Sequence, residues 1–212
     1  SPNKTLQQKM TVISNAYSEL SKSRLDYVKF YMDNHKQIPT WIMIKVINFS
    51  TFINVLSCSK TDVSHALCKL YGLEDDNGLP KLLTGSLHWM RKIRNSCAHN
   101  ERVYCLTRKS EHRGRSGRIL EKYFRMLSSG YSRNLDQKIF DLIIYFKYFL
   151  PKNEYKQFIN ELKSMLNDLQ TKIHPHAFEY VRGQMGIRNL EDLDKLLNFP
   201  KDEIEYNKFD AI

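Results

Sequence analysis

The sequence predicts an all-α protein, and three observations carry that reading. Apolar residues recur at steps of three and four through most of the chain. No alternating apolar run is long enough to build a sheet. The chain holds only 8 glycines and 6 prolines, too few for a many-turned β protein. With 212 residues, 42% of them hydrophobic, it suits one domain, alone or with a small appendage, and has ample material for a core.

The elements follow in order. Leu6, Met10, Ile13, Tyr17, Leu20, Arg24, Tyr27 and Tyr31 alternate steps of four and three, which predicts one helix over residues 4–33 with a heptad seam. Arg24 is its one polar member and is expected to reach the rim of the core with its charge outward. "HKQIP" breaks this helix. Residues 39–57, apolar nearly all round, predict a central helix with Pro39 in its first turn. Residues 59–73 predict a shorter one, capped by Ser59 or Thr61 and stopped by Gly72, and "EDDNG" then reads as a turn. From Leu79 to about Cys105 comes a helix of roughly 40 Å, with Leu87, Met90, Ile93, Cys97 and Tyr104 as its core stripe and Gly85 as a weak point. Residues 108–118, "RKSEHRGRSGR", hold five Arg or Lys, one Glu and two Gly, a flexible basic loop. Three helices follow, over 135–150 (ended before Pro151), over 152–170 and from Pro175. "NLEDLDKLL", 189–197, is a last acidic helix.

Charge narrows the partners. The net charge is +10, but residues 191–212 hold seven acids against three lysines, so the rest carries +14. Such an excess favours a polyanion, RNA or DNA first and an anionic membrane second, against a basic protein with no such partner. The loop at 108–118 is either a solvated surface loop or a phosphate grip. Cys58, Cys68, Cys97 and Cys105 form no metal-ligand spacing, which argues against zinc and fits a reducing cytosol. No run of 18 apolar residues and no signal peptide is visible, so a cytoplasmic protein with no membrane partner is expected. The chain opens "SPNKT", without a methionine.

One stretch calls for a chemical reading. In "RKIRNSCAHNERVY", residues 91–104, Asn95 and His99 lie four apart on one helical face, with Arg91 a turn before and Arg102 three residues after. Arg94 flanks the stripe. An imidazole ordinarily exchanges its proton near neutral pH, a guanidinium forks onto phosphate oxygens, and an amide can orient the ring. A base beside a phosphate clamp is the minimum kit for cutting RNA without metal or any other cofactor: the base takes the ribose 2′-OH proton and arginine stabilises the five-coordinate phosphate. The same stripe also reads as a solvated face or a structural hydrogen-bond site. One helix supplies no complete acid–base pair, which asks for a second histidine or a second copy of His99. No paired carboxylates, phosphate-binding glycine loop or metal cluster offers a rival site.

These residues also carry a resemblance. "RNSCAH" matches the R-polar-x3-H signature of the HEPN superfamily, many catalytic members of which are metal-independent RNases. The longer "LHWMRKIRNSCAHNERVY" resembles the "L…LRN.CAHH.R" block of the Abi-like family, the bacterial abortive-infection proteins of phage defence. "IPTWIMIKVINFSTF", 38–52, is similar to that family's "LP.WM..E.LSFGTLS" helix, and "FINELKSMLNDL" with "MGIRNLEDLDKLL" resembles its C-terminal stretch. Asn100 stands where family members often have a second His, and the Tyr-rich block that usually precedes the first helix is not seen. The resemblance implies a HEPN-type helical bundle with extra C-terminal helices. With the charge shift at 191, the chain is expected to comprise a helical domain over 1–190, with the basic loop 107–118 after the motif helix, and an acidic helix and tail over 191–212. The resemblance also implies catalytic roles for Arg94, Asn95 and His99; the basic stripe and the loop that follows it are then expected to supply RNA contacts from Arg91, Arg102, Arg108, Lys109, Arg113, Arg115 and Arg118. The partners implied are target RNA, a regulatory non-coding RNA and a second copy of the chain. A non-cleaving RNA-binding or RNA-regulated module, or a protein-interaction subunit of a defence or toxin–antitoxin system, is the alternative.

Overall fold

The computed structural model describes residues 5–35, 37–71, 73, 79–109, 127 and 136–198, and it is all-α. The helices are α1 (Leu6–Ser21), α2 (Asp26–Asn34), α3 (Thr40–Val46), α4 (Phe49–Cys58), α5 (Thr61–Leu70), α6 (Leu79–Ala98), α7 (Ile139–Phe149), α8 (Lys152–Lys172), α9 (Pro175–Met185) and α10 (Glu191–Asn198). Extended pairing among the described residues is confined to β1 (Arg108–Lys109) and β2 (Asp136–Gln137), antiparallel with Arg108 opposite Gln137. The chain forms two compact units, residues 1–66 and 67–212.

In the first unit the expected long helix is two. α1 stops at Ser21, and Lys22 to Leu25 turn the chain before α2. The cause is local: the Ser23 backbone N–H closes on the Leu20 carbonyl at 3.0 Å, and the Leu25 N–H donates to Ser23 Oγ at 3.4 Å. A serine that hydrogen-bonds nearby backbone offers the chain an alternative to the helical ladder. Arg24 therefore lies exposed in the break, on no helical seam. Most of the seam is exposed as well, Leu6 at 74% and Ile13 at 54%. α1 instead buries Ala16 and Leu20, and Leu20 meets Val28 and Ile42 in a small core edged by Tyr31, Ile38, Met43 and Val46.

The apolar run 39–57 also divides, at the extended Ile47 and the cap Asn48. Asn48 Oδ1 accepts from the Thr51 N–H at 2.9 Å. The Glu19 carboxylate of α1 accepts from the Asn48 N–H at 2.6 Å and from Thr51 Oγ1 at 2.5 Å. That anion at the start of α4 ties α1 to α4 and satisfies donors a helix start leaves open. The run is not central: Trp41 and Ile44 are more than half exposed. In α5, Thr61 is the first helical residue rather than the cap, and Gly72 lies outside the described residues.

In the second unit α7 is the helix buried on every side, with all of Ile139 to Tyr148 buried except Phe146. It packs on α6 and α8. Pro151 precedes α8 and Pro175 opens α9, as their preset φ predicts. Gly186, at φ 83°, ends α9 in the left-handed region, with the Ile187 N–H on the Arg182 carbonyl at 3.1 Å. The acidic helix α10 packs on α8, where Lys163 Nζ donates to Asp194 Oδ2 at 2.6 Å. The buried Lys147 Nζ donates to the Leu196 carbonyl and lies 5.9 Å from the centre of the Tyr155 ring. Burial pushes the Asp141 carboxyl up to about 7 against the hydrogen bond it accepts from the Lys138 N–H at 2.6 Å.

Candidate functional site

Helix α6 has two faces. Leu83, Ser86, Leu87 and Trp89 are buried. The opposite face carries His88, Arg91, Lys92, Asn95 and His99, recurring at helical steps. The expected core stripe holds at Leu87, thins to half-buried Met90 and Ile93, and fails at Cys97, which is exposed.

The helix is shorter than expected because it ends at Ala98. Asn100 takes φ 54°. Its N–H closes on the Cys97 carbonyl at 3.1 Å, and the Glu101 N–H reaches the Ser96 carbonyl at 2.9 Å. These paired bonds around a left-handed residue are a Schellman ending, and asparagine is among the few non-glycine residues that accept that backbone. Ser96 Oγ also donates to Glu101 Oε2 at 2.7 Å, so side chain and backbone close the same turn. His99 is thereby fixed at the last turn of α6 with its side chain exposed. Tyr104 is off the helix, and so is Arg102, which the reversal removes from the helical stripe.

After the turn the chain runs back along α6. Lys92 Nζ donates to the Thr107 carbonyl at 2.6 Å, and Arg108 Nη1 donates to the Gly85 carbonyl. The guanidinium lies where Gly85 offers no side chain; an added Cβ would meet it at 3.5 Å. α6 and this returning segment enclose a groove of about 540 Å³ lined by His88, Arg91, Lys92, Asn95, Ser96, His99, Glu101 and Arg108. Among the described residues three cations face one carboxylate there, and Ser96 already engages that carboxylate. Arg91 Nε is buried without a hydrogen-bond acceptor.

Of the residues singled out from sequence, the groove gathers Arg91, Asn95, His99 and Arg108. Arg94 is exposed outside its lining, with Nη1 donating to Asn95 Oδ1 at 3.1 Å. Arg102 is exposed and not part of it. Lys109 has its backbone in β1. Arg113, Arg115 and Arg118 lie outside the described residues. Sequence reasoning gave no role to His88, Lys92, Ser96 or Glu101. His88 and Lys92 share the helical spacing of Asn95 and His99, a signal that was readable. Among the described residues no group of three or more His, Cys, Asp or Glu could hold a metal ion.

The family model described as Abi-like protein matches residues 1–105, a span that contains both the 38–52 block and the motif helix. The chain belongs to the Abi-like protein family. The Abi-like family carries a general role in abortive infection, a form of phage defence. The match stops short of residues 158–197, so the likeness of that stretch to the Abi-like C-terminal part lies beyond it. No curated protein and no solved structure matches the chain. Among the described residues no helix of this Abi-like protein is long and apolar enough to cross a membrane.

Proposed function

We propose that this protein binds RNA and cleaves it without metal, using His99 as the base of a HEPN-type site. The observation that carries the reading is the exposed His99 at the end of a basic groove in which the carboxylate of Glu101 already accepts from Ser96. In the reaction His99 takes the proton of a ribose 2′-OH. The 2′ oxygen bonds to the adjacent phosphorus, the bond from phosphorus to the 5′ oxygen breaks, and that oxygen leaves with a proton. Arg94 stabilises the added charge on the phosphate. Asn95, one turn before His99, accepts from Arg94 and so restrains that arginine on the flank of the same helix. The products are a 2′,3′-cyclic phosphate and a 5′-hydroxyl.

The departing 5′ oxygen needs an acid. His88 lines the same groove but stands eleven residues from His99, about 16 Å along the helix, too far to serve one phosphate. A two-fold dimer presenting a second His99 completes the pair, and light scattering should then return the mass of two chains. A regulatory RNA would enter by the same basic groove. Incubation of labelled RNA in EDTA tests the chemistry: His99→Ala and Arg94→Ala should each lower cleavage by on the order of 100-fold or more with the fold retained. Undiminished cleavage by His99→Ala would remove the assignment. Binding without cleavage by the parent protein would favour a non-cleaving RNA module, and no binding at moderate salt a protein-interaction subunit.

A further inference from the structure

The proposed chemistry occupies one end of the groove, yet the groove continues for three helical turns beyond His99. We infer that this extension is a track for single-stranded nucleic acid about three phosphates long, with the reacting phosphate at the His99 end. The inference rests on the RNA reading above and adds to it the footprint and the residues that hold the strand.

Arg91, Lys92 and Arg108 are the cations of the track. Each is fixed or unsatisfied in a way that points to an anion. Arg91 Nε is buried with no acceptor, which costs free energy that a phosphate oxygen would restore. Lys92 Nζ is held by the Thr107 carbonyl at 2.6 Å, and an ammonium has further protons to donate. Arg108 is held by the Gly85 carbonyl and keeps the rest of its fork. Tethers to backbone place both cations before a strand arrives, which lowers the ordering cost of binding. Among the described residues, no aromatic side chain other than the two imidazoles lines the groove. The track therefore grips phosphates and is tolerant of base sequence.

The probes are fluorescein-labelled 2′-O-methyl oligoribonucleotides of two to six nucleotides, whose blocked 2′ oxygen cannot attack. Anisotropy titrations at several salt concentrations read their binding. Affinity should climb from the dinucleotide to the tetranucleotide. Lys92→Gln and Arg91→Gln should each weaken tetranucleotide binding several-fold, flatten its log–log salt slope by about 0.7, and affect the dinucleotide less. Arg108→Lys keeps the charge but loses the fork, and should weaken binding less than Arg108→Gln. Equal affinity and slope for parent, Lys92→Gln and Arg91→Gln would overturn the track. Cleavage of unmodified RNA, scored in parallel, separates the two readings. Binding as described without cleavage leaves the track and removes the RNase. Cleavage with binding unaltered in both variants does the reverse.

Discussion

Helices α1 and α7 carry contrasting apolar patterns and meet opposite fates. The α1 seam of Leu6, Met10, Ile13 and Tyr17 keeps a strict heptad and is exposed. α7 keeps no period and is buried almost throughout. α1 offers two faces, and the first unit uses the one with Ala16 and Glu19, which Leu20 adjoins as the one buried seam residue of α1. Ala16 is small enough for close helix approach, Leu20 joins the local core, and Glu19 caps α4. α7 offers no alternative, since any packing partner meets apolar side chains. A period identifies a face that could be buried; continuous apolar character is what compels burial.

The comparison breaks first at Ile144, which is fully buried in α7. Ile144→Ala should cost about 2–5 kcal/mol in urea unfolding, through lost transfer free energy and a residual cavity. A loss under about 1 kcal/mol would mean that α7 is not the centre of its unit.

Asp141 sharpens the comparison, because α7 buries a titrating group that α1 does not. Its folded carboxyl titrates at about 7, above the ordinary 3.8, because burial disfavours the anion. The folded state therefore holds the proton more tightly than the unfolded chain. The stability this supplies is fully present below pH 3.8 and is lost as pH rises to about 7. Asp141→Asn keeps an oxygen that can accept from the Lys138 N–H and should remove this fall, by a few kcal/mol in unfolding free energies between pH 4 and pH 8. A parent protein whose dependence matches that of Asp141→Asn would refute the shift.

The smallest effect belongs to α1. Ile13→Ala removes the same atoms as Ile144→Ala from a side chain that is 54% exposed, and should change unfolding by no more than about 0.5 kcal/mol. A cost near that of Ile144→Ala would show the seam to be buried in solution.

The same contrast explains how much was legible in sequence. α8 and α9 were readable because Pro151 and Pro175 act through their own backbones. The break at Ile47 and Asn48 was not, since Glu19, 29 residues away from Asn48, supplies part of the cap. Nor was the break after Ser21, where no Pro or Gly stands and Ser23 works through a weak local bond. At the site, Asn95 and His99 were legible from their i,i+4 spacing. Arg102 was misplaced because a helix extrapolated past Ala98 takes no account of the reversal at Asn100. The docking of Arg108 on Gly85 joins residues 23 apart and depends on the chain's return.

That reversal gives position 100 a meaning that its side-chain chemistry does not suggest. Set beside the family block, Asn100 reads as the loss of a second imidazole. Viewed as a joint, it is a replacement in kind, because asparagine and histidine are both enriched in the left-handed backbone that the turn imposes. Anyone grafting this block between relatives should treat the position as a hinge pin, interchangeable among Asn, His and Gly. A valine or isoleucine there would strain the turn that fixes His99 while leaving every motif letter in place.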